Sequence, residues 1–343
     1  MTIDSIIKIY EYKETKKAEI INIINVKTSD LVTCSVNEIK SLIKLGYNAD
    51  SFNNCILESQ KPDYNKFINI IDDYNLVTDT NKIINHIPEY DNLLNKSKDF
   101  YIIWEILFLS KVSFTNVYIN NKNNKDIIES ISLFNKILKD KNTEFHYKNK
   151  DNKINLYDLY FFEYNKNTLL NNEIIHLLNI IKYILTTYKE NSDLILEIND
   201  TTTMPNVKLL YILSNFYKNI CCHKPLYSNM FFSSKYFIFK GLDTKKYITY
   251  EKLIDTIIDI VKKSKNNIID ILPSLTSEES FISFFNYIKD INLILGNHQY
   301  IYNNKMNNYV INIKNEFGKE YHTQIEKHIT NKNIWITNFF VKE

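Results

Sequence analysis

The stretch that decides the fold is residues 216–242, "FYKNICCHKPLYSNMFFSSKYFIFKGL". Two β-like runs, "NICCHKP" and "SKYFIFKGL", flank a loop rich in Ser and Asn. Upstream, "NVKLLYILSNFYK" (206–218) predicts a helix and "SDLILEIND" (192–200) a short apolar strand bounded by polar residues. The helix "NNEIIHLLNIIKYILTTYK" (171–189) is apolar on most faces, as expected of one packed against a sheet. Before it come Tyr- and Phe-rich strand material at 144–165, a helix at 125–138, a β-like run "FTNVYI" (114–119) and a buried helix at 100–110. Strands and helices in alternation argue for an α/β layer fold with a mainly parallel sheet and helices on both faces.

The flanks read differently. Residues 1–95 predict a mostly helical extension, with amphipathic stretches at 36–49 and 62–77; Gly46 and Pro62 supply a stop and a start. The α/β unit then spans 96–247, and 248–343 forms a C-terminal helical extension. Within it, "YIYNNKMNNYVINIKNEF" (300–317) reads as a hairpin and "NIWITNFF" (333–340) as β-like. There is no internal repeat.

With 343 residues, 44% of them hydrophobic, the chain can bury a full core. All 42 basic residues are Lys, a usage typical of an AT-rich genome. Without guanidinium forks, phosphate contacts fall to ammonium groups, backbone N–H groups and hydroxyls. A net charge of +2 gives no global field toward nucleic acid or membrane. Cys34, Cys55, Cys221 and Cys222 form no CxxC pair and no secretory leader precedes them, which suits reduced thiols in the cytoplasm. Cys221, Cys222 and His223 alternate across a strand and do not converge on one metal, and His322 and His328 fall on different helix faces. The apolar run at 100–114 is broken by Glu105 and Lys111, so it suits a buried helix and not a membrane span. Four glycines leave no phosphate-cradling loop and no Gly-x-Ser-x-Gly elbow.

In order, spacing and chemistry, "LILEIND" (194–200), "VKLLYILSNFYK" (207–218), "ICCHKP" (220–225), "LYSNMFFSS" (226–234) and "KYFIFKGL" (235–242) resemble the second half of FtsJ-like RNA ribose 2′-O-methyltransferases. In that family a strand with a catalytic Lys precedes a helix, a second strand ends in Lys-Pro, and a Ser-rich loop leads to a last strand beginning Ser-Ser-Glu-x-Tyr. "FYIIWEIL" (100–107) looks like the family's Tyr-Lys-Leu-x-x-Ile helix, and "LYDLYFFEYN" (156–165) like the strand with its catalytic Asp. The resemblance covers roughly 100–245 and implies a Rossmann-like methyltransferase sheet.

It also implies a Lys-Asp-Lys-Glu tetrad around the ribose hydroxyl, but the matching positions hold Ile102, Glu163, Glu197 and Lys235. Ile102 has no titratable group, and Glu197 reverses the sign where a lysine base belongs. Glu197 and Lys235 are expected to keep a charge-swapped contact between their strands. The glycine-rich cofactor turn corresponds to "VYINNKNNKDIIES" (117–130), where Asn120, Asn121, Asn123 and Asn124 stand without a glycine. The expectation is therefore a silent relative that binds no S-adenosylmethionine and no metal. It would serve as a binding or stimulatory subunit for the catalytic subunit of a viral mRNA capping or polyadenylation complex, in the host cytoplasm or the virion. Lys224, Lys235 and Lys240 are the expected contacts to RNA or partner. Two alternatives stand beside it: an active cap 2′-O-methyltransferase using S-adenosylmethionine, with Lys182, Lys208 or Lys218 as base, and a virion or scaffold protein without an RNA role.

Overall fold

The computed structural model describes residues 9–12, 32–34, 96–121, 124–139, 141–147, 157–163, 170–187, 189–228, 234–243, 250–263, 268–312 and 319–339. The helices expected at 36–49 and 62–77 lie outside the described residues. Strands β1 (Ile9–Tyr12) and β2 (Val32–Cys34) come first, then helix α1 (Lys98–Ser110), β3 (Asn116–Ile119), α2 (Lys125–Lys139) and β4 (Glu144–His146). Next come β5 (Leu159–Phe162), α3 (Leu170–Thr186), β6 (Asp193–Ile198), α4 (Met204–Ser214), β7 (Tyr217–His223) and β8 (Lys235–Leu242). After these follow α5 (Tyr250–Lys263), β9 (Ile268–Ile271), a 3-10 turn (Pro273–Ser277), α6 (Glu279–Asn312) and α7 (Lys319–Phe339).

Seven strands form one sheet in the order β1-β7-β8-β6-β5-β3-β4. β4, β3, β5 and β6 pair in parallel. β8 runs antiparallel to both β6 and β7, so β7 points the same way as the parallel set. The fold is Rossmann-like α/β, as the sequence predicts, with helices on both faces. On one face α1, α2 and α7 bury Val117, Ile119, Leu159, Phe161, Ile195 and Ile238. On the other, α3 to α6 bury Tyr160, Leu194, Leu196, Ile198, Phe237 and Phe239. The period-2 alternation of β8 sends Phe237 to one core and Ile238 to the other. Full burial of each such side chain is worth on the order of 1.5–3 kcal/mol.

Two pairings cross the tripartite division expected from composition. β1 adds an antiparallel edge strand to β7, with Ile9 opposite His223, and β2 pairs with β9 in a small separate sheet. The hairpin expected at 300–317 is corrected: residues up to Asn312 continue α6. Residues 333–339 are likewise helical, within α7. Local β propensity yields there to burial, because Trp335, Ile336 and Phe339 share one helix face against the core.

Gly241 is where β8 needs a glycine. Its φ is +69°, and a Cβ there would lie 3.1 Å from Lys218 Cδ. Its N–H donates to Asp193 Oδ1 at 2.8 Å. Gly241→Ala is expected to lower stability by roughly 1–2 kcal/mol in chemical denaturation. The loss should persist in the Lys218→Ala background, since the strain lies in the backbone.

At the amino ends of β3 and β5, Asp158 Oδ2 accepts from Thr115 N (2.8 Å), Thr115 Oγ1 (2.8 Å) and Asn116 N (2.9 Å), while Lys189 binds Oδ1. Burial pushes this carboxyl up, but the Lys189, Asn116 and Thr115 hydrogen bonds outweigh it and hold it well below the usual range. A depressed folded-state pKa stabilises above the unfolded value of ~4, and the contribution fades as pH falls below it. Asp158→Asn should therefore lower the melting temperature at neutral pH, with the gap to wild type closing progressively under acid.

Candidate functional site

In open α/β sheets ligands bind in the crevice beyond the carboxyl ends of the strands. Here that edge carries one polar row on the face covered by α1. Ile119 pairs with Phe161, Phe162 with Leu196 and Glu197 with Tyr236, which in turn faces His223. Continuing that register by one step beyond β3 and β5 aligns Asn121, Glu163, Glu197, Tyr236 and His223. Side chains on adjacent strands at one level share a face, so two glutamates stand side by side.

The glycine-free turn is tied to this row by its own side chains. Asn120 N–H donates to Phe161 O at 3.2 Å, and its Nδ2–H donates to Glu163 O at 3.2 Å. Glu163 N–H returns a bond to Asn120 Oδ1 at 3.0 Å. Asn124 Nδ2–H donates to Glu163 Oε1 at 2.7 Å, while its Oδ1 accepts from Ile127 N–H at 3.3 Å and so caps α2. Asn121 is exposed, and Asn123 lies outside the described residues. His176 on α3 hydrogen-bonds the Glu163 backbone; burial holds its imidazole below the usual range. The asparagine side chains thus brace this turn against the Glu163 backbone and Oε1 and against the start of α2.

The tetrad-equivalent residues do not all converge. Ile102 is buried in the α1 core. Glu163 and Glu197 share the row. Lys235 does not, because it pairs with Ile198, one residue out of step with Glu197 and Tyr236. It therefore leaves the opposite face, and the expected Glu197–Lys235 contact is corrected. The residue of β8 that faces Glu197 is Tyr236. Tyr236 is 7% exposed, and Asp99, at the start of α1, is exposed. Burial raises the Tyr236 phenol well above its usual value, and the Glu197, Asp99 and Glu163 carboxylates raise it further.

The three lysines expected to contact RNA or a partner turn inward. Lys224 and Lys235 are buried, with Nζ donating to Ser234 O at 2.7 Å and to Asn199 O at 3.3 Å. Burial pulls the Lys235 ammonium pKa down, against the pull of Cys222, Asp200 and Glu173. Lys240 Nζ donates to Ser110 O at 2.7 Å and so caps the carboxyl end of α1. This corrects the picture of a basic contact face, since these ammonium groups serve the protein's own carbonyls. The candidate bases of the active alternative are placed elsewhere: Lys182 pairs with Asp255 at 2.5 Å, Lys208 with Asp270 at 2.8 Å, and Lys218 bonds Asn191.

Glu105 is the residue whose role the sequence conceals. It is fully buried and accepts from His223 Nε2 (2.7 Å), Leu226 N (3.0 Å) and Trp335 Nε1 (2.7 Å). One carboxylate therefore joins α1, the end of β7, the turn after it and α7. Cys221 and Cys222 pack on opposite cores, as alternation requires.

No family model matches the chain. It is similar to the uncharacterized protein R383 of Acanthamoeba polyphaga mimivirus, with 25% identity over 199 residues, 57% of this chain and 57% of that protein. The chain thus matches little more than half the length of that relative. Among the described residues, no helix is long and apolar enough to cross a membrane.

Proposed function

We propose that the chain is a catalytically silent relative of the FtsJ-like RNA 2′-O-methyltransferases, acting as a binding or stimulatory subunit in viral mRNA capping or polyadenylation. One observation carries the reading. The positions where the resemblance demands two lysines hold the buried Ile102 and the acidic Glu197, and the glycine-free stretch at the place of the family's cofactor turn is tied by Asn120 and Asn124 to Glu163. The pieces that carry the resemblance also fold together, since 194–200, 220–225 and 235–242 supply the neighbouring strands β6, β7 and β8. A viral setting is supported by the likeness to a mimivirus protein. The role as a stimulatory subunit rests on analogy between folds. The test is methyl transfer from labelled S-adenosylmethionine to capped RNA. No incorporation above the Glu197→Gln control is expected, and turnover abolished by that substitution would contradict the reading.

A further inference from the structure

The large apolar side chains that stand exposed among the described residues all fall on one helix, α6: Ile282, Leu293, Tyr300 and Ile301, each about half open to solvent. Ile282, Leu293 and Tyr300 are spaced by 11 and 7 residues, close to three turns and two, so they form one line along the helix. Ile301 widens that line at its far end. The opposite side of α6 carries Phe284, Ile288 and Ile291 into the core. Single exposed apolar residues are ordinary, whereas a line of them along one helix marks an interaction surface. The charges beside the line are ordered as well. Exposed Glu279 stands in the first turn and exposed Lys305 near the other end, both flanking the line on the same side. Lys289 and Asp290, exposed near the middle, are opposite in sign.

We propose that α6 pairs antiparallel with α6 of a second copy of this chain, about a two-fold axis near residue 292. That axis sets Leu293 against Leu293 of the second copy, Ile282 against Tyr300 and Ile301, and Glu279 against Lys305. Apolar line and flanking charges are therefore self-complementary in a single register, which a different partner would not require. A parallel pair would instead set Glu279 on Glu279 and Lys305 on Lys305. From Glu279 to Lys305 the helix runs about 40 Å at ~1.5 Å per residue, long enough for several turns of interdigitating side chains. A phosphate backbone or an anionic bilayer fits this face less well, because Glu278, Glu279 and Asp290 against Lys289 and Lys305 leave it no basic excess. The inference goes beyond the silent-subunit reading and does not depend on it.

The test is sedimentation equilibrium of the full chain, where a dimer with a micromolar Kd is expected. Leu293→Glu should weaken it about a hundredfold, since a two-fold contact loses both of its leucines. Leu293→Ala, which a helix accepts without strain, should weaken it in the same direction. Both positions of the charge pair are exposed, so Glu279→Lys and Lys305→Glu should each fold, as a thermal melt verifies, and each should lower dimer affinity about fivefold. Mixing these two variants restores opposite charges at both contacts and should give a heterodimer tighter than either variant alone; the double variant should recover the wild-type affinity. A monomer up to high-micromolar concentration, a dimer indifferent to both Leu293 variants, or an assembly larger than a dimer overturns the proposal. So does a mixture of the two charge variants that associates no better than its components. None of these results touches methyl transfer, so the two readings can fail separately.

Discussion

Glu105→Ala is expected to destabilise the protein by about 3–5 kcal/mol, the range for removing one partner of a buried charged network. The substitution strands three donors at once: the His223 imidazole, the Leu226 N–H and the Trp335 indole N–H, each now 2.7–3.0 Å from a carboxylate oxygen. Each buried donor left without an acceptor costs roughly 1–3 kcal/mol. Their effects overlap because one residue serves all three. Glu105→Gln keeps one acceptor oxygen and should lose less. Denaturant unfolding followed by tryptophan fluorescence measures both. A loss below about 1 kcal/mol for the alanine variant would show that the carboxylate does not tie these elements together.

Trp335→Ala should be comparably severe, at about 3–5 kcal/mol for an aromatic side chain removed from a packed core. The indole packs edge-on against Tyr101 and Tyr227, with ring centroids 5.3 and 5.1 Å away, and tilts against Phe339 at 5.0 Å. Phe339 contributes in turn, because its carbonyl accepts from Trp104 Nε1–H at 2.8 Å. The anchoring side chains of α7 lie toward its carboxyl end, so losing Trp335 should expose the helix to proteolysis before global unfolding. Trp335→Phe separates the ring from its N–H. Combined with Glu105→Ala in a double-mutant cycle, it should show a coupling of about 1–2 kcal/mol. Additive losses would mean that the indole contributes by packing alone.

These two residues also mark where sequence reading stops. Strands β6, β7 and β8 were legible because aromatic and β-branched runs alternate between polar boundaries, and the parallel set was legible because strands and helices take turns. Glu105 reads only as a break in an apolar run, since its partners lie more than a hundred positions away. The last turns of α7, residues 333–339, read as β-like because Ile, Trp and Phe favour strands. Only contact with α1 shows that Trp335, Ile336 and Phe339 belong on one helix face. The candidate site was legible as a set of substituted positions, but its composition depended on strand parity. A shift of one residue exchanges Lys235 for Tyr236 beside Glu197 and replaces a presumed ion pair by a carboxylate facing a phenol.

Isothermal calorimetry of the full chain with S-adenosylmethionine bears most directly on the claim that an ancestral methyl-donor site has been closed by asparagine side chains. Heats indistinguishable from dilution at millimolar ligand are predicted. A micromolar dissociation constant, lost in Asn120→Asp, would mean that the turn still accepts the cofactor and that the silent-subunit account is wrong.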